Sequence, residues 1–327
     1  MNDFSYLADK SLSGAALSRE EALAVLQSED GRLPELLQTA LAVRERFFGR
    51  RVKICVLQNA RSGLCPEDCH YCSQSVISTA SINKYRLLPQ EQLLAGAHKA
   101  VAAGARRYCM VTSGRGPSDR DIEHLSEAVR VIKQEFPALE ICLSLGLMSE
   151  EQARQLKEAG VGWINHNLNT SRRFYPTICT THTYDDRVET VQNVKRAGLS
   201  TCSGGIVGMG ENDEDISDLA YAARELAIDS IPINFLYPVS GTPLGERRDF
   251  APAKGLKTLC LMRLLNPRSE IRMAAGRELY LGGWGGLALY PANSIFVEGY
   301  LTTPGQQAQE ARKLVEEAGF EVERIEA

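Results

Sequence analysis

The sequence predicts an α/β protein, a (βα)8 TIM-type barrel preceded by an N-terminal helical extension. Eight short runs rich in β-branched and apolar residues follow one another along the chain, and segments with helical periodicity separate them. Strands that alternate with helices pair in parallel. The number of strands fits a closed barrel, and an open, doubly wound sheet is the competing architecture.

The first 50 residues are predicted to be helical. Ser18 is followed three residues later by Glu21, which is a capping-box pattern, and it predicts a helix up to Gln27. A second helix is predicted from about Pro34 to Phe48. We therefore divide the chain into a helical extension, 1–50, and a barrel with a C-terminal tail, 51–327.

Strands and helices are predicted to alternate from Val52 onward. Pro89 suits the first turn of a helix, and Gly104, Gly160 and Gly198 suit positions just beyond helix ends. The predicted strands are Val52–Leu57, Arg107–Thr112, Leu139–Ser144, Gly162–Asn167, Leu199–Ile206, Ile228–Leu236, Glu270–Ala274 and Ser294–Val297. The predicted helices include Pro89–Ala103, Ser118–Glu135, Ser149–Ala159, Tyr184–Ala197 and Asp213–Ala227.

Composition excludes several classes of protein. The net charge of −4 argues against a broad nucleic-acid-binding face. No apolar run approaches the roughly 18 residues that a membrane span needs. The N-terminus has neither a basic start nor an apolar run, so it is not a secretory signal. Nine cysteines, an odd number, favour a reducing cytoplasmic setting with metal-bound thiolates over a disulfide framework.

The strongest motif is the cysteine triplet Cys65, Cys69 and Cys72. It falls in a long, irregular stretch directly after the first predicted strand, where a barrel carries functional loops. Three thiolates at this spacing could hold three irons of a [4Fe–4S] cluster and leave the fourth iron open. Zinc is the alternative, but it needs a fourth ligand, and no second closely spaced cysteine pair occurs in the chain.

The triplet, with Tyr71 just before its last cysteine, resembles the signature of the radical S-adenosylmethionine enzymes. The resemblance implies that S-adenosyl-L-methionine binds the open iron through its amino and carboxylate groups. One electron from the reduced cluster then cleaves the nucleotide and yields a 5′-deoxyadenosyl radical. The triplet alone indicates only this superfamily.

Three more cysteines lie within predicted strands, and an arginine lies on the seventh. Cys109, Cys142 and Cys202 belong to the second, third and fifth strands, and Arg272 belongs to the seventh. Each cysteine alone is more often a small buried residue than a ligand. Together they occupy strands whose inward positions converge on one interior volume. A charged residue in a barrel interior is costly unless it is paired or bonded.

These segments closely resemble the biotin synthase family, which carries a second, [2Fe–2S] cluster on three cysteines and an arginine. The matching positions are Cys109, Cys142, Cys202 and Arg272. The resemblance spans roughly residues 50 to 305 and includes the blocks Gly63–Cys72, Asn165–Leu168, Cys202–Glu211, Pro232–Asn234, Gly241–Leu244, Ala275–Glu278, Ala292–Phe296 and Leu301–Pro304.

The activity that this resemblance implies is a radical sulfurtransferase reaction, the last step of biotin formation. Hydrogen is abstracted at C9 and then C6 of dethiobiotin, the two carbon radicals are captured in turn by a bridging sulfide of the second cluster, and the thiophane ring closes. The resemblance also implies a reducing electron donor such as flavodoxin or ferredoxin, and a homodimer. Cys55, Cys179 and Cys260 match no cluster position and are interpreted as structural thiols.

Three asparagines are candidate substrate ligands. Asn165 and Asn167 are two residues apart on a strand, so their side chains share a face. The resemblance implies that Asn165 contacts the substrate and that Asn167 lies between substrate and nucleotide. Asn234 matches the family's ligand for the ureido ring, which suits an amide because an amide both donates and accepts.

A further set is implied to bind the nucleotide. Asn169 departs from relatives that carry a carboxylate for the ribose hydroxyls, although an amide can still accept one hydrogen bond. Pro291 is a second departure, at a position where many relatives have glycine. The whole set is Tyr71, Asn167, Asn169, Arg187, Gly204, Ile206, Gly208 and Glu211.

Two alternative functions stay open at this point. One is a sister radical enzyme of the same barrel type, such as lipoyl synthase or a maturase. Lipoyl synthase would need a second cysteine triplet near the N-terminus, and residues 1–50 contain no cysteine. The other is a non-catalytic iron–sulfur or zinc-binding protein, which would not need polar groups that line a barrel interior.

Overall fold

The computed structural model describes residues 4–323, in which parallel strands close into a barrel. Successive strands pair in the order β1-β2-β3-β4-β5-β7-β8-β9, and β9 pairs with β1, while β6 pairs with β7 beside β5. The strands are β1 (Arg51–Arg61), β2 (Arg107–Thr112), β3 (Glu140–Ser144), β4 (Trp163–Asn165), β5 (Ser200–Cys202), β6 (Gly205–Val207), β7 (Ser230–Phe235), β8 (Glu270–Met273), β9 (Ser294–Val297) and β10 (Glu321–Val322). The predicted (βα)8 barrel is confirmed, and pairing of β1 with β9 excludes an open sheet.

Helices fill the connections between the strands. Capping boxes begin five of them, at Ser18, Ser118, Ser149, Thr183 and Asn212, so side chains satisfy backbone N–H groups that lack a partner within the helix. The helices are α1 (Ser5–Leu12), α2 (Arg19–Gln27), α3 (Leu33–Phe48), α4 (Gln90–Ala102), α5 (Asp119–Glu135), α6 (Glu150–Glu158), α7 (Tyr184–Arg196), α8 (Asp213–Glu225), α9 (Pro252–Leu265), α10 (Arg277–Tyr280) and α11 (Ala308–Glu317).

The fifth barrel position differs from the prediction, because the single strand expected at Leu199–Ile206 is divided into β5 and β6. Ser203 and Gly204 lie between them, outside either strand. A Cβ atom on Gly204 would lie 1.9 Å from the carbonyl oxygen of Pro232 on β7, so only glycine permits this approach. The break places Cys202 on β5 and Ile206 on β6, both at the cavity described below.

The N-terminal helices pack on the barrel's outer layer. Helices α1, α2 and α3 contact α9, and α2 also contacts α8. Arg44 of α3 is fully buried and donates from Nε to the carbonyl oxygen of Ala292 at 3.2 Å and from Nη2 to that of Arg51 at 2.8 Å. The first barrel strand begins at Arg51, and our division at residue 50 stays a prediction.

A search for membrane-spanning helices gives a negative result for residues 4–323. None of the helices in this range is both long enough and apolar enough to cross a bilayer.

Replacing Leu36 by alanine tests how firmly the extension is docked. Leu36 on α3 is fully buried, so Leu36→Ala should lower the free energy of unfolding by about 2–5 kcal/mol through lost burial and a residual cavity. Urea denaturation followed by circular dichroism measures this change. The control is Val131→Ala on α5, where the side chain is 41% exposed and the expected change is within about 0.5 kcal/mol. Equal small losses of stability for the two variants would contradict the buried packing of Leu36 against the barrel.

Candidate active site

One cavity of about 360 Å³ inside the barrel brings most of the predicted site residues together. Four predicted residues are not among those that line it, namely Cys69, Gly204, Gly208 and Glu211. The predicted residues that do line it are Cys65, Tyr71, Cys72, Cys109, Cys142, Asn165, Asn167, Asn169, Arg187, Cys202, Ile206, Asn234 and Arg272.

The cysteine loop after β1 is shaped by two residues with positive φ. Gly63 has φ 69° and Leu64 has φ 56°. The Gly63 N–H donates to Oε1 of Gln74 at 2.8 Å, and the Cys72 N–H donates to the carbonyl oxygen of Cys69 at 3.1 Å. These turns place Cys65 and Cys72 at the cavity wall.

The buried Cys69 lies beside the segment that connects β4 to α7. Its Sγ is 3.7 Å from Sγ of Cys179, which the sequence analysis had interpreted only as a structural thiol. The Asp68 carboxylate joins the two segments, because it accepts the N–H groups of Thr180 at 2.9 Å and Thr181 at 3.3 Å. Sequence periodicity could not reveal this neighbour, since residues 69 and 179 lie in irregular connections far apart in the chain.

The three cysteines of the second set lie together inside the barrel. Cys109 pairs with Cys142 across β2 and β3, and Asn165 pairs with Cys202 across β4 and β5. A hydrogen bond with Cys142 lowers the pKa of the Cys202 thiol against the opposing effect of burial, and the Arg272 guanidinium lowers it further. Of the hydrogen-bonded pair Cys142 and Cys202, Cys202 is therefore the one whose thiolate form is favoured.

Arg272 is fully buried, and its guanidinium is held in one orientation. Nε donates to Oγ of Ser294 at 3.0 Å, while Nη2 donates to Oγ of Ser230 at 3.2 Å and to the Glu270 carboxylate. The remaining nitrogen, Nη1, lies 3.7 Å from Sγ of Cys202. The guanidinium thus presents Nη1 to the cysteines while its other nitrogens are bonded to the barrel wall.

Glu270 carries the balancing negative charge. Oε1 and Oε2 accept hydrogen bonds from Arg107 at 3.0 and 3.2 Å, and the Lys53 ammonium is 3.4 Å from Oε2. Burial alone would raise the pKa of this carboxyl, but Arg107, Arg272 and Lys53 hold it well below its usual value. Arg107 also stacks on Trp163, with 3.7 Å between its Cζ and the ring centroid. The sequence analysis missed Glu270, although its position two residues before Arg272 on one strand predicts a shared face.

The asparagines differ in how much of each amide is free. Asn165 Nδ2 donates to Oδ1 of Asn167 at 3.0 Å and is 3.3 Å from Sγ of Cys202, while its Oδ1 accepts from Ser144 at 3.1 Å. Asn234 is bonded to the backbone of β6 and of residue 275 at 3.2 Å each. Within residues 4–323 no hydrogen bond is made by Nδ2 of Asn167, so this cavity-lining N–H₂ group is open to a ligand.

Tyr71 and Asn169 link the cysteine loop to β6. Asn169 has φ 71° and donates from Nδ2 to the Tyr71 hydroxyl at 2.5 Å. Its backbone oxygen accepts the N–H of Ile206 at 2.8 Å. Asn169, which stands where some relatives carry a carboxylate, therefore still places a polar side chain at the cavity. Its amide nitrogen is already engaged by Tyr71.

Arg187 is buried rather than solvated on the face of α7. It donates to the Asn167 carbonyl oxygen and to Nε2 of His182, each at 2.7 Å, and also to the Tyr175 hydroxyl. The phenolic groups of Tyr71 and Tyr175 raise its pKa despite burial, which opposes the charge. A permanent positive charge at the cavity wall suits an anionic ligand group.

The loop after β6 is built around Glu211. Its carboxylate accepts the N–H groups of Gly208 at 2.6 Å and Met209 at 2.8 Å, and Gly208 has φ 95°. Burial raises the pKa of Glu211. Gly208 and Glu211 thus shape the loop beside Ile206 rather than lining the cavity themselves.

His166 lines the cavity although it is not among the predicted site residues. It is buried, its Nε2 has no hydrogen-bond partner within residues 4–323, and burial holds its pKa well below the usual value. A neutral imidazole with one unpaired nitrogen is an unusual feature inside a barrel. Sequence alone gave no signal for it, because a histidine between two asparagines on a strand is expected to face away from them.

The barrel and its thiol sets define a radical S-adenosylmethionine enzyme, and the model of the Radical SAM superfamily matches residues 61–221. The Biotin and Thiamin Synthesis associated domain matches residues 232–321. The chain is 51% identical to biotin synthase 2 of Frankia casuarinae over 98% of this chain and 89% of that protein. It is 50% identical to biotin synthase of Geobacillus thermodenitrificans over 97% of this chain and 95% of that protein. The chain belongs to the biotin synthase family.

The fold has a close counterpart among solved structures. The crystal structure of methylornithine synthase superposes with a TM-score of 0.84 at 23% identity and covers 97% of both chains. At this identity the likeness concerns the barrel alone.

The donor sets fit the iron–sulfur clusters that this family uses. Three thiols and one guanidinium nitrogen meet in a buried pocket whose cations offset thiolate charge, and three further thiols lie in the loop after β1. Thiolates are the usual ligands of such clusters. The residues assigned to each cluster stay a prediction.

Replacing Glu270 by glutamine tests the charge balance in the barrel. Glu270→Gln leaves the buried Arg272 without its carboxylate partner and leaves Arg107 beside it with Glu140 alone, so the cluster-free chain should lose about 3–5 kcal/mol in its free energy of unfolding. Urea denaturation at neutral pH measures the loss.

Glu140→Gln is the matched control, because that carboxylate also contacts Arg107 and Lys53 but is 21% exposed. Its expected cost is about 1 kcal/mol or less. Equal costs for the two substitutions would show that Glu270 is not the main counter-charge.

Proposed function

We propose that this chain is a radical S-adenosylmethionine sulfurtransferase that inserts sulfur between C6 and C9 of dethiobiotin and forms biotin. One observation carries the proposal beyond family membership. A single cavity is lined by two cysteines of the triplet, by the second cysteine set with Arg272, and by the three candidate substrate asparagines. A reaction that needs a radical, a substrate and a sulfur source in contact requires this juxtaposition.

The proposed cofactor ligands follow from the donor sets. Cys65, Cys69 and Cys72 would hold the [4Fe–4S] cluster, and Cys109, Cys142, Cys202 and Arg272 would hold the [2Fe–2S] cluster. When bound, these groups supply a 5′-deoxyadenosyl radical from S-adenosylmethionine, and sulfide from the second cluster.

The proposed nucleotide contacts lie between the cysteine loop and β6. Arg187 supplies a fixed positive charge at the cavity wall, which suits the carboxylate of the methionine moiety. The Tyr71 hydroxyl and Asn169 supply polar atoms at the same wall. Gly204, Ile206, Gly208 and Glu211 shape the neighbouring backbone, because side chains at the two glycines would meet Pro232 and Phe250.

The proposed substrate contacts use amide chemistry. Asn167 offers a free N–H₂ group that suits the ureido carbonyl of dethiobiotin. Asn165 is bonded to Asn167 and lies at Cys202, so it fixes the position of that donor next to the second cysteine set. Asn234 faces the same cavity from β7 and would change hydrogen-bond partners when it binds the ring.

The electron donor and the quaternary structure are part of the proposal. The cysteine loop exposes the apolar side chains Leu64, Val76 and Ile77, which offer a small reducing protein such as flavodoxin or ferredoxin a place to approach. All nine cysteines are free thiols, which suits a reducing cytoplasm. We expect a homodimer, which sedimentation velocity would detect.

The direct test is turnover by the reconstituted protein. Anaerobic protein with iron and sulfide restored, reduced with dithionite, should convert dethiobiotin to biotin when S-adenosylmethionine is present. Product is measured by mass spectrometry. Absence of biotin from protein that carries both clusters would refute the proposal, and one zinc per chain without sulfide would favour the zinc-binding alternative.

Replacing Cys69 by alanine should abolish formation of 5′-deoxyadenosine, because two thiolates of the triplet cannot hold a stable cluster with one open iron. Chromatography of the nucleotide products measures the loss. Cys260→Ala is the matched control, since that buried cysteine on α9 lies outside the cavity and should leave formation unchanged. Nucleotide cleavage by Cys69→Ala would rule out the assignment of the triplet.

Replacing Cys142 by alanine should impair biotin formation far more than assembly of the first cluster. The reason is that Cys142 lies between Cys109 and Cys202 in the second set. Iron and sulfide content, electron paramagnetic resonance and biotin yield separate the two effects. Biotin formation at the parent rate would show that the second set has another role.

A further inference from the structure

A buried imidazole lies between a carboxylate of the cysteine loop and the Arg187 guanidinium. Glu67 is 4% exposed, His182 is 6% exposed and Arg187 is 7% exposed. Nη2 of Arg187 donates to Nε2 of His182 at 2.7 Å, and Nδ1 of His182 is hydrogen-bonded to the Glu67 carboxylate. Arg187 lines the cavity, whereas His182 and Glu67 are not among the residues that line it. The two residues behind Arg187 therefore act on the cavity only through it.

The hydrogen-bond partners fix which ring nitrogen of His182 carries the proton. A guanidinium has only donors, so Nε2 accepts from Arg187 through its lone pair. The proton of the neutral ring is then on Nδ1, which donates it to the Glu67 carboxylate. Sγ of Cys179 lies 3.4 Å from the same Nδ1, and the carboxylate is closer. Both nitrogens are thus engaged, and the ring cannot flip without losing both bonds.

The interposed ring holds Arg187 without taking up all its donors. A carboxylate in direct contact with a guanidinium commonly takes two parallel N–H bonds. His182 takes one N–H at Nη2, the Asn167 carbonyl oxygen takes one at Nη1 at 2.7 Å, and the Tyr175 hydroxyl takes the N–H at Nε. A guanidinium has five N–H bonds, so within residues 4–323 one on Nη1 and one on Nη2 are left. Arg187 thus keeps two donors for an anionic ligand.

Glu67 joins Arg187 to the loop that carries the cysteine triplet. It lies between Cys65 and Cys69 in the chain, and its carboxylate also accepts from the Thr181 hydroxyl. Two successive hydrogen bonds therefore fix the guanidinium relative to the triplet. A ligand held at one end by the triplet and at the other by Arg187 needs that spacing to be constant.

We propose that His182 and Glu67 are positioning residues for the nucleotide, because they hold the Arg187 guanidinium in the orientation that binds the carboxylate of S-adenosylmethionine. Both act through Arg187 and not by contact with the ligand. The inference rests on the proposed function, since it takes Arg187 as the partner of that carboxylate. It adds the residues on which the strength of this contact depends.

The test measures binding of S-adenosylmethionine to the full chain with the first cluster in its oxidised form, in which the nucleotide is not cleaved. Equilibrium dialysis gives the dissociation constant for variants of equal iron and sulfide content. His182→Leu removes the acceptor for Nη2 and should weaken binding about 10-fold or more, because a hydrogen bond to a charged group is lost. His182→Gln offers a side-chain oxygen near the position of Nε2 and should restore most of the affinity.

His124→Leu on α5 is the matched control. That half-buried ring is bonded to the Leu88 carbonyl oxygen at 2.9 Å and is not among the residues that line the cavity, so the dissociation constant should not change. Glu67→Leu should weaken binding, whereas Glu67→Gln keeps an acceptor for the Nδ1 proton and should weaken it less. Equal affinities of His182→Leu and His182→Gln would overturn the proposal.

A second ligand distinguishes positioning of Arg187 from general damage to the site. 5′-Methylthioadenosine has the adenine, the ribose and a thioether sulfur but no amino acid part, so it lacks the carboxylate. It should bind the parent chain and His182→Leu equally. If both ligands lose affinity to the same extent in His182→Leu, the substitution disturbs the whole site and the proposal is overturned.

The cluster-free chain provides a readout that needs no nucleotide. With ¹⁵N-labelled histidine, the ring signals that disappear in His182→Gln should show a proton on Nδ1 and none on Nε2. A proton on Nε2 would overturn the proposal, because that nitrogen could not accept from Arg187.

Failure of this inference differs from failure of the proposed function. If the parent chain with its first cluster does not bind S-adenosylmethionine, both are overturned. If the parent chain binds it and His182→Leu binds it equally tightly, only the positioning role of His182 and Glu67 is overturned.

Discussion

The interior of this barrel depends on one carboxylate, Glu270, held between two buried arginines. An arginine next to a set of cysteines is useful only if its charge is balanced, because an unpaired charge in a barrel interior is costly. Glu270 supplies that balance to Arg272 and to Arg107, and Trp163 covers the second guanidinium. The network also fixes the orientation of the Arg272 guanidinium. With Nε and Nη2 of Arg272 bonded to the wall, only Nη1 is left to face Cys202.

Pairing of the parallel strands brings cysteines and Asn165 into the same barrel interior as these charges. Side chains two residues apart on a strand share a face, so Glu270 and Arg272 enter the lumen one above the other. Pairing of β2 with β3 sets Cys109 beside Cys142, and pairing of β4 with β5 sets Asn165 beside Cys202. Residues from five strands thus line one cavity, and they are Cys109, Cys142, Asn165, Cys202 and Arg272.

The sequence allowed the barrel, most strand bounds and the convergence of both thiol sets to be predicted, because each depends on periodicity or on which strand carries a residue. It did not reveal α9, since that helix is buried on nearly every side and shows no single apolar stripe. It also did not reveal that Cys179 lies at Cys69. Their proximity depends on the path of two irregular connections and on the Asp68 bonds that join them, and neither leaves a periodic signal.

The Cys69–Cys179 contact bears on the proposed binding of iron at Cys69. In the cluster-free arrangement Cys69 donates and Cys179 accepts, and this hydrogen bond raises the pKa of the Cys69 thiol. A thiolate bound to iron cannot donate, so the same contact must reverse, with Cys179 donating to Cys69. Hydrogen bonds to cluster sulfurs are one of the ways in which a protein sets cluster potential. If Cys69 holds the first cluster as proposed above, Cys179 affects both the cost of loading that cluster and the ease of its reduction, through a single thiol that no strand or helix pattern would have predicted.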